Sequence, residues 1–150
     1  MRALKFLVHK LGKWYLDKIC KREYESQCFQ GVNERLVEYR FVFQSLLLTA
    51  PRYVLDVGTG VTSLPHILRT CGFEVTAIDN IRDYWPKGMF NRHYYVINDD
   101  IKNTRITKKF DLITCISVME HIKNHEAAIK SMFALLNPGG HIVLTFPYNE

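Results

Sequence analysis

The segment Asp56-Val57-Gly58-Thr59-Gly60-Val61-Thr62 closes a strand-length apolar run and sets two glycines one residue apart behind an acid. Glycines at 58 and 60 permit a tight turn and close approach of a ligand over the strand's carboxyl end. The dinucleotide fingerprint needs a further glycine three positions on, where this chain has Ser63. Asp56 would repel a pyrophosphate, so a cationic ligand without phosphate suits the turn better than a nicotinamide dinucleotide. Nineteen residues after Gly60 comes Asp79, where an acid at a strand end can grip both hydroxyls of a ribose. Taken singly, the glycine pair is an ordinary strand-to-helix connection and Asp79-Asn80 an ordinary turn former. Taken together, the ribose role is preferred. A third run ends Asn98-Asp99-Asp100-Ile101, where one carboxylate can accept an adenine amino group; alone, it reads as a solvated acidic turn.

These residues work as one site only if successive strands end side by side. Apolar runs at Tyr53–Val57, Glu74–Ile78, His93–Ile97, Asp111–Ile116 and His141–Phe146 predict five strands. Leu64–Cys71 predicts a helix that tolerates Pro65 in its first turn. Asn124 predicts a cap for a helix with the face Ile129, Met132, Phe133 and Leu136, stopped by Asn137-Pro138-Gly139-Gly140. Upstream, Leu4, Leu7, Leu11, Trp14 and Tyr15 share one helical face, and Leu36, Tyr39, Phe43 and Leu47 share another. The linkers 80–91 and 101–109 predict no long helix. The alternation predicts an α/β fold: a doubly wound, mainly parallel sheet covered on both faces.

A chain of 150 residues, 47% hydrophobic and 23% charged, has the size and composition of a single globular domain rather than a disordered chain. The longest apolar stretch, Phe41–Ala50, is broken by Gln44, Ser45 and Thr49, so no membrane span is expected. Arg2, Lys5, Lys10 and Lys13 leave no apolar core for a secretory signal, and a cytoplasmic location is expected. Residues 1–23 hold seven bases and two acids, whereas residues 24–150 hold thirteen of each. A basic excess confined to one terminus argues against a nucleic-acid partner. Cys20, Cys28, Cys71 and Cys115 lack zinc-ligand spacing, and Cys71 and Cys115 are expected to be buried. His121 and His125 stand four apart but lack a third ligand, so no metal is expected.

Two further segments complete the pattern. They are Phe110-Asp111-Leu112-Ile113-Thr114-Cys115-Ile116-Ser117-Val118-Met119-Glu120-His121 and Leu135-Leu136-Asn137-Pro138-Gly139-Gly140 before the last strand. From about Tyr53 to Phe146 the series resembles the class I S-adenosylmethionine-dependent methyltransferases in order and spacing. The resemblance implies a Rossmann-like fold with S-adenosylmethionine as cofactor. It implies that Asp56, Gly58, Thr59 and Gly60 line the methionine and ribose side, that Asp79 holds the ribose and that Asn80 flanks the adenine. Asp100, with Asp99 as fallback, would accept the adenine amino group; Ile101 would pack on the ring and Ile116 under the methionine. One departure is Thr62, where the family often has a third glycine.

The expected function is methyl transfer to a small-molecule, glycan or lipid-precursor acceptor. The alternatives are an inactive cofactor-binding fragment or interaction module and, less favoured, a nicotinamide-dependent oxidoreductase. Because the methyl carbon arrives activated, the protein mainly positions the acceptor. His121 and Glu120 are the candidate bases, although the resemblance gives them chiefly a shaping role; Tyr84, Trp85, Phe146 and Tyr148 are candidate pocket walls. Residues 1–50 are expected to form a helical lid segment and residues 51–150 the cofactor-binding domain. The basic stretch 1–23 has a second reading, peripheral contact with an anionic membrane. Members of the family normally add two strands beyond the fifth, and here the sequence stops at Glu150. The expectation is therefore a truncated form, incomplete at its C-terminus, with a fifth-strand edge open to self-association and weakened catalysis.

Overall fold

The computed structural model describes residues 2–26, 33–85, 89 and 94–147, divided between two compact units, Met1–Asn33 and Glu34–Glu150. The first unit contains helix α1, Arg2–Ser26, uninterrupted by proline. Among its described side chains nearly all are exposed.

The second unit is built on five parallel strands: β1 (Tyr53–Val57), β2 (Glu74–Asp79), β3 (Val96–Asn98), β4 (Phe110–Ile116) and β5 (Leu136–Thr145). Their order is β3-β2-β1-β4-β5, with β1 paired to β2 on one side and β4 on the other. Helices α2 (Arg35–Thr49), α3 (Leu64–Thr70), α4 (Ile81–Tyr84) and α5 (His125–Ala134) join them. This is the expected Rossmann-like, doubly wound sheet. The third strand starts at Val96, and His93, its expected start, lies outside the described residues.

Alternation along the strands fills both faces of the sheet. On one face Leu55, Val57, Ile78, Phe110 and Ile113 pack with Met132 of α5. On the other, Val54, Leu112, Ile116 and Val143 meet Val42 and Leu46 of α2 and Leu64 and Leu68 of α3. Helix α2 therefore belongs to the sheet body, and the units divide between residues 33 and 34 rather than at 50. Its buried face is Glu38, Val42 and Leu46, about a quarter turn from the expected one; Leu36 and Leu47 are exposed, while Tyr39 and Phe43 lie at its edge. Ala50, with φ of 44°, ends the helix before Pro51.

The cap of α5 is as expected: Asn124 Oδ1 accepts the N–H of Ala127 at 3.1 Å. The buried face differs. Ala128 and Met132 point inward, and Ile129 and Phe133 are exposed, because the sheet and the 3₁₀ turn Ile101–Asn103 pack on the other side of the helix. Asn137-Pro138-Gly139-Gly140 does not precede the last strand but lies within it. Phe110 pairs with Leu136 and Leu112 with His141, so these four residues bulge opposite Asp111. Asp111 holds the bulge: Oδ1 accepts Asn137 Nδ2 at 2.6 Å, and Oδ2 accepts the N–H groups of Arg52 and Tyr53, each at 2.9 Å. Cys115 is buried as expected, but Cys71 is exposed at the end of α3; Cys28 lies outside the described residues.

Candidate functional site

The strand order reverses between β1 and β4, and in open α/β sheets ligands bind outside the carboxyl ends of strands at such a point. Here β1 runs into Gly58 and Gly60, with φ of 68° and 55°. The N–H groups of Gly58 and Thr59 donate to the carbonyl of Ile78 on β2, at 2.9 and 3.2 Å. The next N–H, of Gly60, donates to Asp79 Oδ2 at 2.8 Å. The glycine turn and the strand-end acid thus form one unit.

The two glycines answer to different neighbours. A Cβ on Gly58 would stand 2.4 Å from a methyl of Val118, so this glycine is demanded by protein packing. A Cβ on Gly60 would lie 3.6 Å from the indole of Trp85. That indole also donates Nε1–H to Asp79 Oδ1 at 3.2 Å. Both oxygens of Asp79 are therefore engaged by the chain's own donors. Burial raises the Asp79 pKa, against the lowering effect of the Gly60, Trp85 and Asn80 donors.

Asp56 lies beneath the turn rather than in it. It is 3% exposed, and its Oδ1 accepts the Thr114 hydroxyl at 2.6 Å. Burial pushes its pKa up to about 6, although hydrogen bonds from Thr114 and Thr59 oppose the shift. Thr59 is buried as well, its hydroxyl 3.3 Å from that of Tyr94. Asn80 donates Nδ2–H to Asp83 Oδ2 at 3.0 Å.

At the end of β3 the two acids separate by role. Asp99 is buried and takes the Thr104 hydroxyl at 2.7 Å and the N–H groups of Asp100 and Arg105, each at 3.1 Å. Asp100 is partly exposed and accepts the N–H of Lys102 at 3.0 Å. The N–H of Asp99 donates to the carbonyl of Asp79 at 3.0 Å, which puts both acids beside β2. Ile101 is turned into the core with Ile78 and Met132, and Ile116 is buried on the α2 face.

Beyond β4, Tyr84 stacks near His121 with ring centroids 5.4 Å apart, and His121 Nε2 lies 3.9 Å from Glu120. A cleft of about 840 Å³ opens between α2 and the ends of β4 and β5, lined by Arg35, Glu38, Phe41, Glu120, His121 and Phe146 among others. Tyr148 lies outside the described residues. Among the described residues no group of three or more metal-ligating side chains gathers.

Sequence reasoning missed Glu38. This carboxylate is 7% exposed and accepts Ser117 Oγ at 2.5 Å, Thr145 Oγ1 at 2.6 Å and Arg35 Nη1 at 2.6 Å. Its signal was a charge in register with Val42 and Leu46 at helical spacing. Tyr39, one residue on, reaches the turn: burial raises its phenol pKa against hydrogen bonding with Thr62 and Ser63. Helix α2 therefore braces both the glycine turn and the end of β4.

A parallel sheet with a glycine turn tied to a strand-end acid at its switch point defines a cofactor-binding α/β protein. A family model described as a methyltransferase domain matches residues 23–150, and the chain belongs to that family. Its fold is that of the class I S-adenosylmethionine-dependent methyltransferases. A ubiquinone biosynthesis O-methyltransferase of Coxiella burnetii is 29% identical over 113 residues, covering 71% of this chain and 47% of that protein. The chain thus spans about half the length of this curated relative. An S-adenosylmethionine-dependent methyltransferase from Clostridium acetobutylicum has a similar fold, with a TM-score of 0.56 and 20% identity over 91% of this chain and 56% of that one. The N-methyltransferase NodS of Bradyrhizobium japonicum, solved with S-adenosyl-L-homocysteine, gives a TM-score of 0.57 and 24% identity over 74% of this chain and 60% of that one.

Proposed function

We propose that this chain binds S-adenosylmethionine across the carboxyl ends of β1 to β4 and serves methyl transfer to a small-molecule acceptor. The observation that carries the reading is the 2.8 Å hydrogen bond from Gly60 to Asp79. It fixes a buried carboxylate beside the backbone turn, an acceptor that suits the hydroxyls of a ribose diol. Asp100, the more exposed acid on the neighbouring strand, suits an exocyclic amino group. No part of this turn presents a cation for a pyrophosphate, and buried Asp56 keeps negative potential beneath it.

When bound, the cofactor supplies a methyl group already activated by its sulfonium. What this chain adds is position. Ile116 and Ser117 end β4 between the glycine turn and the 840 Å³ cleft, which is where the acceptor is placed. Phe41 and Phe146 give that cleft apolar walls, and His121 beside Glu120 can take a proton from an acceptor hydroxyl. The Coxiella burnetii relative is named for O-methylation in ubiquinone biosynthesis, so a hydroxyl acceptor is the first to assay. Exposed free thiols at Cys20 and Cys71 fit a reducing compartment such as the cytoplasm.

Calorimetric titration with S-adenosylmethionine, S-adenosylhomocysteine and NADH tests the reading. The first two bind and NADH does not; Asp79→Ala weakens binding by about 1.5–3 kcal/mol. Preference for NADH would overturn the cofactor assignment. Cofactor binding without methyl transfer to hydroxyl or amine acceptors would make the chain a binding module.

A further inference from the structure

Helix α1 carries a surface unrelated to the cofactor reading. Leu4, Leu7, Val8, Leu11, Trp14 and Tyr15 recur at spacings of three and four, which at 100° per residue puts them on one stripe. Each is more than half exposed. Lys5 borders the stripe on one side and Lys10 and Lys21 on the other, while Lys18 extends it with its ammonium 4.3 Å from the Trp14 ring centroid. Phe6 and Leu16 lie off the stripe. From Arg2 through Leu16 the helix has four bases, Arg2, Lys5, Lys10 and Lys13, and no acid. The acids Asp17, Glu23 and Glu25 are confined to its last ten residues.

We propose that α1 lies in the plane of an anionic lipid surface, with the Leu–Trp–Tyr stripe in the acyl boundary and the lysines among the headgroups. Apolar side chains flanked by bases, with amphipathic rings of tryptophan and tyrosine, match that boundary chemically. Charge decides among occupants. A parallel second copy would set one acid-free basic stretch against another, and an antiparallel one would set it against residues 17–26, whose three bases and three acids cancel, whereas an anionic surface neutralises it. Among the described residues no helix is long and apolar enough to cross a membrane, so the geometry is one of lying on the surface. At about 1.5 Å per residue the stripe from Leu4 to Tyr15 offers a contact strip on the order of 18 Å long.

The test is co-sedimentation of the whole chain with vesicles of phosphatidylcholine, with and without 30 mole per cent phosphatidylglycerol. Partitioning is expected to be at least tenfold stronger on the anionic vesicles and to fall severalfold as salt screens the lysines. Trp14 emission shifts to the blue on binding, and the shift disappears in Trp14→Phe. The double variant Leu7→Glu, Leu11→Glu loses at least tenfold in partitioning with unchanged affinity for S-adenosylhomocysteine, and Lys10→Glu, Lys13→Glu loses the preference for anionic lipid. Equal partitioning onto both vesicle types overturns the proposal. So does a Leu7→Glu, Leu11→Glu variant whose main change is loss of a dimer in sedimentation, which assigns the stripe to a second copy. A main change in cofactor affinity assigns it to a lid and likewise overturns the membrane reading. None of these outcomes depends on whether the chain transfers a methyl group.

Discussion

Ser117 donates its hydroxyl to Oε1 of Glu38 at 2.5 Å, joining the end of β4 to helix α2 across 79 residues of sequence. Ser117 holds a left-handed φ of 51°, and its N–H is bound to the carbonyl of Thr145 at 3.0 Å. The strained residue after β4 is thus pinned by the two elements that border the cleft. Glu38→Ala leaves the Ser117 and Thr145 hydroxyls and the Arg35 guanidinium without their shared acceptor. The expected loss is about 2–4 kcal/mol in chemical denaturation. Burial raises the Glu38 pKa, but its partners Ser117, Thr145 and Arg35 outweigh burial and hold it below 4.5. A lowered carboxylate contributes stability that is present above its unfolded value and lost as pH falls through the folded one. Wild type should therefore lose its advantage over Glu38→Gln below about pH 4.5. A constant difference between them down to pH 3 would show that Glu38 contributes through packing alone.

Gly58 and Gly60 should respond differently to alanine. At Gly58 the new Cβ would stand 2.4 and 2.5 Å from the two methyls of Val118, at a φ of +68°. Left-handed backbone costs about 1–2 kcal/mol and overpacking a similar amount, so Gly58→Ala should lose about 3 kcal/mol. Adding Val118→Ala should recover the steric part and leave the backbone part. At Gly60 the nearest atom is 3.6 Å away, so only the backbone cost applies. Equal melting temperatures for the two alanine variants would contradict this division.

Asp56 gives the opposite pH signature to Glu38. Its folded pKa is raised from 3.8 to about 6, chiefly by burial. A raised group favours the folded state fully below its unfolded value, and that contribution is lost as pH rises through the folded value. Asp56→Asn keeps an acceptor for Thr114 without a charge to bury. Relative to wild type it should gain about 2–3 kcal/mol of stability between pH 4 and pH 7, measured by denaturant titration at each pH. No change in the difference across that range would mean that the carboxylate is solvated in the folded state.

The strands were legible because β-branched and aromatic runs at Tyr53–Val57 and Phe110–Ile116 have one stable arrangement, buried on both faces. That Gly60 and Asp79 come side by side was legible for a related reason, since both stand at the ends of adjacent parallel strands; the hydrogen bond between them was not. What escaped was set by tertiary contact. Helix α2 has apolar residues around its whole circumference, so the sequence period could not choose between the Leu36–Leu47 face and the Glu38–Leu46 face. The choice was made by Ser117 and Thr145, more than 70 residues away. Likewise, Asn137-Pro138-Gly139-Gly140 has stop-signal residue types, yet Asp111 draws Asn137 back to the sheet as a bulge.

Trp85 and Asp79 make the most direct test of the cofactor site. The indole donates to Oδ1 at 3.2 Å while its ring lies over Gly60, so Trp85 stands where a ribose held by Asp79 would stand. A ribose diol needs the acceptor capacity that the indole N–H now uses, and cofactor binding should turn Trp85 away from the carboxylate. Trp85→Phe removes the competing donor while retaining an aromatic wall. It should raise affinity for S-adenosylhomocysteine by about 1 kcal/mol, the net worth of one such hydrogen bond. In a Trp14→Phe background Trp85 is the remaining tryptophan, and its emission should change on titration with S-adenosylhomocysteine in step with the calorimetric isotherm. Asp79→Asn should lose the affinity and keep the emission of the free protein. A Trp85→Phe variant that binds more weakly than wild type would place the indole in the wall of the bound state and reverse its assigned part.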